Sequence, residues 1–194
     1  MKPGKEDILI TAVQNNIAHS RREVGNLSFS LYQPDDEGLA PIWFERFTSK
    51  EAHNLHMRQG YFKNAIKVIL QSLAGKAHSI ELTELKEIPI VVARLSNTPK
   101  KTYTVIALLD VQPENRKTFT TAIAKTAPKY RTMDGNLEYN LYRYKDEPNK
   151  FVLIEGWESK AYYETQLQKQ DITTGIEGLA SSQHSQWAVK DISQ

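Results

Sequence analysis

The 194-residue sequence contains no cysteine. Disulfides, thiolate metal sites and cysteine nucleophiles are therefore excluded. It also lacks an excess of charge: 25 Lys and Arg stand against 23 Asp and Glu, a net charge of +2, and the basic residues form no long run. Such a balance leaves no electrostatic footprint for nucleic acid or an anionic membrane. No apolar run approaches the roughly 20 residues of a membrane-spanning helix. Met1-Lys2-Pro3-Gly4-Lys5-Glu6-Asp7 has no signal-peptide core, so a cytoplasmic protein is expected. Gly-x-Ser-x-Gly, Walker and Gly-x-Gly-x-x-Gly patterns are absent too. What remains is ordinary: 40% hydrophobic and 25% charged residues describe a globular protein of one large or two small domains.

An internal repeat decides between these. Laid on 131–160, residues 21–50 match without a gap at Arg21, Gly25-Asn26-Leu27, Leu31-Tyr32, Asp36-Glu37, Glu45 and Ser49-Lys50. Further on, Leu73-Ala74 matches Leu179-Ala180 and His78-Ser79 matches His184-Ser185, with four residues lost from the second copy. The register holds through loops as well as apolar positions, which argues for tandem domains.

Both copies read alike. Leu9, Val13 and Ile17, like Phe119, Ile123 and Ala127, recur at helical spacing. Pro3 and Pro113 suit helix starts, and Gly25 and Gly135 follow where a left-handed residue would close the helices. Leu27, Phe29 and Leu31, and then Leu137, Tyr139 and Leu141, alternate as strands do. Strand-like runs follow at Pro41–Thr48 and Phe151–Glu158, and helices start near the N-cap candidates Ser49 and Ser159. Phe62, Ile66, Ile69, Leu70 and Leu73 mark one helical face. Ser79–Leu85 and Gln186–Ile192 read as last strands, and Thr102–Val111 opens the second copy.

The unit is β-α-β-β-α-β, so the expected class is α+β with two ferredoxin-like domains, 1–95 and 102–194. The third strand is apolar on both faces, with Ile42 and Phe44 opposing Trp43 and Phe47. The antiparallel sheets are therefore expected to pack together as an intramolecular pseudo-dimer. The first copy shows no counterpart of Thr102–Val111. The β-branched run Ile90–Leu95, placed by a hairpin beside Ser79–Leu85, is expected to fill that slot. Ser96–Lys101 would then be the linker.

The repeated residues resemble a family. Glu23-Val24-Gly25-Asn26-Leu27, Phe44-Glu45-Arg46-Phe47, His56 and Tyr61-Phe62 are similar to the antibiotic biosynthesis monooxygenase (ABM) domain. Gly135-Asn136-Leu137 and Ile154-Glu155-Gly156-Trp157 repeat the frame. The resemblance implies the dimeric α/β-barrel superfamily, whose ferredoxin-like domains pair by their sheets. It also implies a small-molecule substrate. Members include cofactor-free oxygenases of quinol-like or polyketide aromatics, haem-degrading enzymes and an isomerase of a small sugar-derived signal. The family's helix histidine falls on His56 in copy one and on Gln166 in copy two. Its third-strand tryptophan is Phe47 in copy one and Trp157 in copy two. Neither copy carries the Asn, Trp and His set of haem degradation, which points away from that chemistry.

The expectation is a cofactor-independent monooxygenase of a small aromatic or quinol-like compound. It needs no cofactor, nucleic acid or membrane, and is compatible with a homo-oligomer. A base, an anion-stabilising pocket and exclusion of water suffice for such chemistry. His56 is the candidate base, since imidazole titrates near working pH. It lies about 40° round the helix from Ala52 and so borders the apolar face, either as a working residue or as a satisfied boundary histidine. Glu45 either orients His56, acts as a base, or fills a structural role that Glu155 repeats. Tyr32, Trp43, Phe47, Tyr61 and Trp157 are candidate pocket aromatics, or core. His53 is expected at the surface. His53-x-x-His56 has no carboxylate at metal-ligand spacing, so no metal is expected. Arg21-Arg22 reads as a solvated helix end. Two other classes stay open: a non-enzymatic ligand-binding or sensing module with degenerate sites, and an isomerase.

Overall fold

A computed structural model describes residues 1–36, 40–96, 98, 101–168 and 185–194. The counterpart of the Leu73-Ala74 match lies outside the described residues. The chain forms two compact units, Met1–Ser79 with Lys190–Gln194, and Ile80–Val189.

In the first unit, α1 (Glu6–Ser20) opens with Glu6 and Asp7, acids that favour a helix N-terminus. It buries Leu9, Val13 and Ile17, one stripe at four-residue spacing. Each such side chain contributes roughly 1.5–3 kcal/mol on burial. Strands β1 (Asn26–Pro34) and β2 (Ile42–Phe47) pair antiparallel. Phe29 and Leu31 join the α1 stripe in one core, with Trp43, Ile69 and Leu73 packed against it. Helix α2 (Lys50–Met57) is capped as expected: Ser49 Oγ accepts from the Ala52 N–H at 3.2 Å. Helix α3 (Gly60–Ser72) follows. Leu70, expected on its buried face, is instead exposed. The stripe Phe62–Ile66–Ile69–Leu73 runs at three- and four-residue steps, and Leu70 stands about 70° from its centre, at the margin of the face.

Residues 190–194 complete this unit. The Ile192 N–H donates to Leu31 O at 2.8 Å, and Leu31 N–H to Ser193 Oγ at 3.0 Å. Gln14 Nε2 donates to Ile192 O at 2.8 Å, and the Ile192 side chain packs on the core.

The second unit holds the entire expected motif. It comprises β4 (Tyr103–Asp110), α4 (Arg116–Arg131, entered by a 3-10 turn Pro113–Asn115), β5 (Asn136–Tyr144), β6 (Lys150–Trp157), α5 (Lys160–Gln168) and all but the last two residues of β7 (Ser185–Asp191). The strands run in the order β7-β4-β6-β5, all antiparallel. That is the ferredoxin-like arrangement, with the first strand central. Phe119, Ile123 and Ala127 of α4 are buried against Tyr139, Leu141, Phe151, Leu153 and Trp157.

Strand β3 (Leu82–Glu84) lies in this unit too, paired to β5 with Leu82 opposite Tyr144. By the repeat it is the last strand of copy one, so the units do not coincide with the copies. The expectation for Ile90–Leu95 is corrected. A bridge between Leu85 and Ile88 makes the turn, but Ile90–Leu95 forms no strand. Instead the Asn140 amide takes both hydrogen bonds of Val91, at 3.0 and 2.9 Å, and Arg94 N–H donates to Leu137 O at 2.9 Å. A side chain that satisfies a backbone amide and carbonyl together removes the need for a ladder.

The two repeat glycines are kept for different reasons. Gly135 has φ +75°, the left-handed conformation that was expected. Gly25 does not; there a Cβ would fall 2.4 Å from the Ala52 Cβ, so close approach of α2 demands the glycine. Arg21 and Arg22 are exposed at the end of α1, as expected, and Arg21 also ties the helix to β1. Its guanidinium donates to Phe29 O at 3.0 and 2.7 Å, as Arg131 does to Tyr139 O at 2.9 Å.

Candidate functional site

In the first unit β2 presents Trp43, Glu45 and Phe47 on one face, and α2 presents His53 and His56 above them. His56 is fully buried. The rings of Phe47 and Phe62 lie 5.0 Å from it, and those of Tyr61 and Phe29 at 6.0 and 6.1 Å.

Its two nitrogens have different surroundings. Nδ1 is 2.8 Å from Glu23 Oε1 and 3.3 Å from Ser20 Oγ. The Ser20 hydroxyl donates to Asn16 O at 2.7 Å, so only its lone pairs face the ring. A carboxylate likewise only accepts. Both partners therefore place the proton of neutral His56 on Nδ1, leaving the Nε2 lone pair available. Nε2 has no hydrogen-bond partner among the described residues, and neither does Glu45 Oε2, 3.8 Å away. The other oxygen of Glu45 accepts from His53 Nε2 at 2.8 Å. Glu23 also accepts from the Tyr61 hydroxyl. Burial, and then this bond to Glu23, push the Tyr61 phenol up to about 12, so Tyr61 stays a donor at working pH. The His19 ring stacks on Tyr61 at 4.9 Å.

The arrangement is a chain of polar groups running Tyr61, Glu23, His56, Glu45, His53. The carboxylates are about one-fifth exposed and His53 about one-third, so the buried imidazole is flanked by groups that reach solvent. It offers a lone pair held in a fixed tautomer within an aromatic enclosure, which is what proton abstraction from a weak acid requires.

The remaining candidates divide. Phe47 and Tyr61 touch His56, and Trp43 packs on Phe29 at 4.8 Å. Tyr32 does not join them. It pairs with Ile42 on β2, one residue out of phase with Phe29 and Leu31, and so lies buried on the opposite face of the strand. Trp157 belongs to the core of the second unit, where its indole N–H donates to Glu155 at 3.4 Å. Glu23 was missed as a site residue, although it stands in the quoted family motif. Its match in copy two is Met133, where Gln166 replaces His56. The two change together within one chain, and that signal was available.

Copy two keeps only the carboxyl. Burial pushes Glu155 up to about 7, against a smaller lowering by the Trp157 N–H. Tyr163 stands where copy one has His53. A groove of about 530 Å³ lies along α1 and α3, lined by Asp7, Thr11, Asn15, Asn64 and the apolar Ile8, Ala12 and Val68; it does not include His56. Among the described residues no cluster of His and carboxylates has metal-binding geometry, and no helix is long and apolar enough to cross a membrane.

The antibiotic biosynthesis monooxygenase family model matches residues 1–68 and 102–177. The chain belongs to that family, with an α+β, ferredoxin-like fold. A candidate monooxygenase from Fusobacterium nucleatum subsp. nucleatum shares the fold across 98% of this chain and 88% of its own, with TM-score 0.87 and 19% identity. One from Lactobacillus acidophilus covers 96% and 87%, with TM-score 0.79 and 16% identity. An anthrone oxidase-like protein covers 98% and 86%, with TM-score 0.63 and 14% identity. No curated protein matches the chain.

Proposed function

We propose that this protein is a cofactor-independent monooxygenase of a small aromatic, quinol-like or anthrone-like compound. The working site lies in copy one, and the two copies act as ABM-like domains of residues 1–95 and 102–194. One observation carries the reading: the buried His56 is fixed by Glu23 so that an unpartnered Nε2 faces Glu45. The anthrone oxidase-like neighbour, by its name, adds an aromatic substrate class to the fold likeness.

His56 Nε2 removes the acidic proton of the substrate. The resulting carbanion or phenolate donates an electron to oxygen, and the two radicals join in a C–O bond. The peroxide then loses water to leave a carbonyl, so a CH2 group and O2 become C=O and H2O. Glu23 stabilises the imidazolium that forms, and Phe47, Phe62 and Tyr61 exclude water. Glu45 is the exposed-side carboxylate that the substrate meets first.

Oxygen uptake with a panel of quinols and anthrones tests this. His56→Ala is expected to lower turnover by about 10²-fold or more, the usual contribution of a positioned base. Equal rates for variant and wild type would overturn the assignment. The complete burial of His56 favours a second reading, a ligand-binding module. Thermal stabilisation by a panel compound without oxygen consumption would select it.

A further inference from the structure

Glu45 joins two histidines of unlike exposure. One oxygen accepts from His53 Nε2 at 2.8 Å, and the other faces His56 Nε2 at 3.8 Å. His53 is about one-third exposed, His56 not at all. A base must be neutral when its substrate arrives, and a buried imidazole exchanges protons with water only through a neighbour. His56 has no exposed atom for this, and its Nδ1 is occupied by Glu23 and Ser20.

From this geometry we infer that His53 is the proton-exchange residue of the site, acting through Glu45. The inference rests on the reading of His56 as the base. The proton on His56 Nε2 passes to Glu45 Oε2 once the carboxylate swings across the 3.8 Å gap. His53, about one-third exposed, exchanges to its Nδ1–H tautomer; its freed Nε2 takes the proton of the carboxyl and Nδ1 releases one to water, which restores the Nε2–H that Glu45 accepts from. Glu45 returns to carboxylate and His56 to its Nδ1–H tautomer, so one proton enters and one leaves. The Glu23 side is less suited. Its oxygen already accepts from both His56 and Tyr61, and the phenol, with its raised pKa, does not release its proton. The repeat agrees. In copy two Glu155 persists, but Gln166 and Tyr163 stand in the places of His56 and His53, so the base and its outlet are absent together.

The test needs no substrate. In protein labelled with ¹⁵N-histidine, relaxation dispersion at a series of pH values reads the rate at which the His56 ring gains and loses a proton. His53→Gln is expected to slow that exchange about tenfold or more, with added imidazole restoring it at the partly exposed Glu45 carboxylate. Glu45→Gln is expected to slow it equally and to resist imidazole. An unchanged rate in either variant overturns the inference, and so does slowing in His53→Gln that imidazole does not relieve, since His53 would then merely support Glu45. A negative oxygen-uptake panel leaves this measurement intact, so the two readings fail separately.

Discussion

Replacing Glu155 by glutamine changes how stability depends on pH. Burial raises this carboxyl from 4.5 to about 7 in the folded protein. The folded state therefore keeps a proton that the unfolded chain has already released. Between roughly pH 4.5 and 7 the native state binds more protons, so stability falls as pH rises through that window and levels off above it. One pKa unit corresponds to about 1.4 kcal/mol, so the shift costs roughly 3 kcal/mol at pH 8 that it does not cost at pH 4. Glutamine has nearly the shape of the protonated acid, can accept the Trp157 N–H, and does not titrate. Glu155→Gln is thus expected to match wild type near pH 4 and to exceed it by about 3 kcal/mol at pH 8. At about 2–4 °C per kcal/mol for a chain of this size, the gain in Tm is about 6–12 °C. Circular dichroism melts of both proteins at a series of pH values measure it, because titrations common to both cancel in the difference. A variant-minus-wild-type difference that is flat from pH 4 to 8 refutes the reasoning.

Gly25→Ala forces a methyl against the Ala52 Cβ and is expected to lower stability by about 1–3 kcal/mol in urea unfolding, with Ala52→Gly in the same chain recovering most of it. Ser193→Ala removes the acceptor of the buried Leu31 N–H and is expected to cost about 1–3 kcal/mol, read from the urea midpoint.

The repeat made most of the fold legible, because strand alternation and helical spacing are local and appear twice. Tyr32 shows how that local signal was available but not applied: its position, odd against Phe29 and Leu31, already put it on the far face. Glu23 needs another kind of signal: its partner His56 is 33 residues away and no periodicity joins them, so only their joint replacement in copy two links the pair. The destination of β3 and of residues 190–194 was equally hidden. A short strand reads the same wherever it pairs, and only the free strand edges in the folded chain decide its place. Ile90–Leu95 misled for a related reason: a β-branched run favours extension, but Asn140 offered its backbone a partner that no strand propensity registers.

The hydrogen bond between Leu31 and Ser193 spans 162 residues. A ribosome emits a chain from its N-terminus, and domains ordinarily fold in that order. Here the first unit emerges early but waits for residues 190–194 before the β1 edge can close. Both units therefore mature late, with the loop-closure delay of high contact order. In the meantime the edge of β1 is an open template for another chain, so the interval after synthesis is when this protein is most exposed to aggregation.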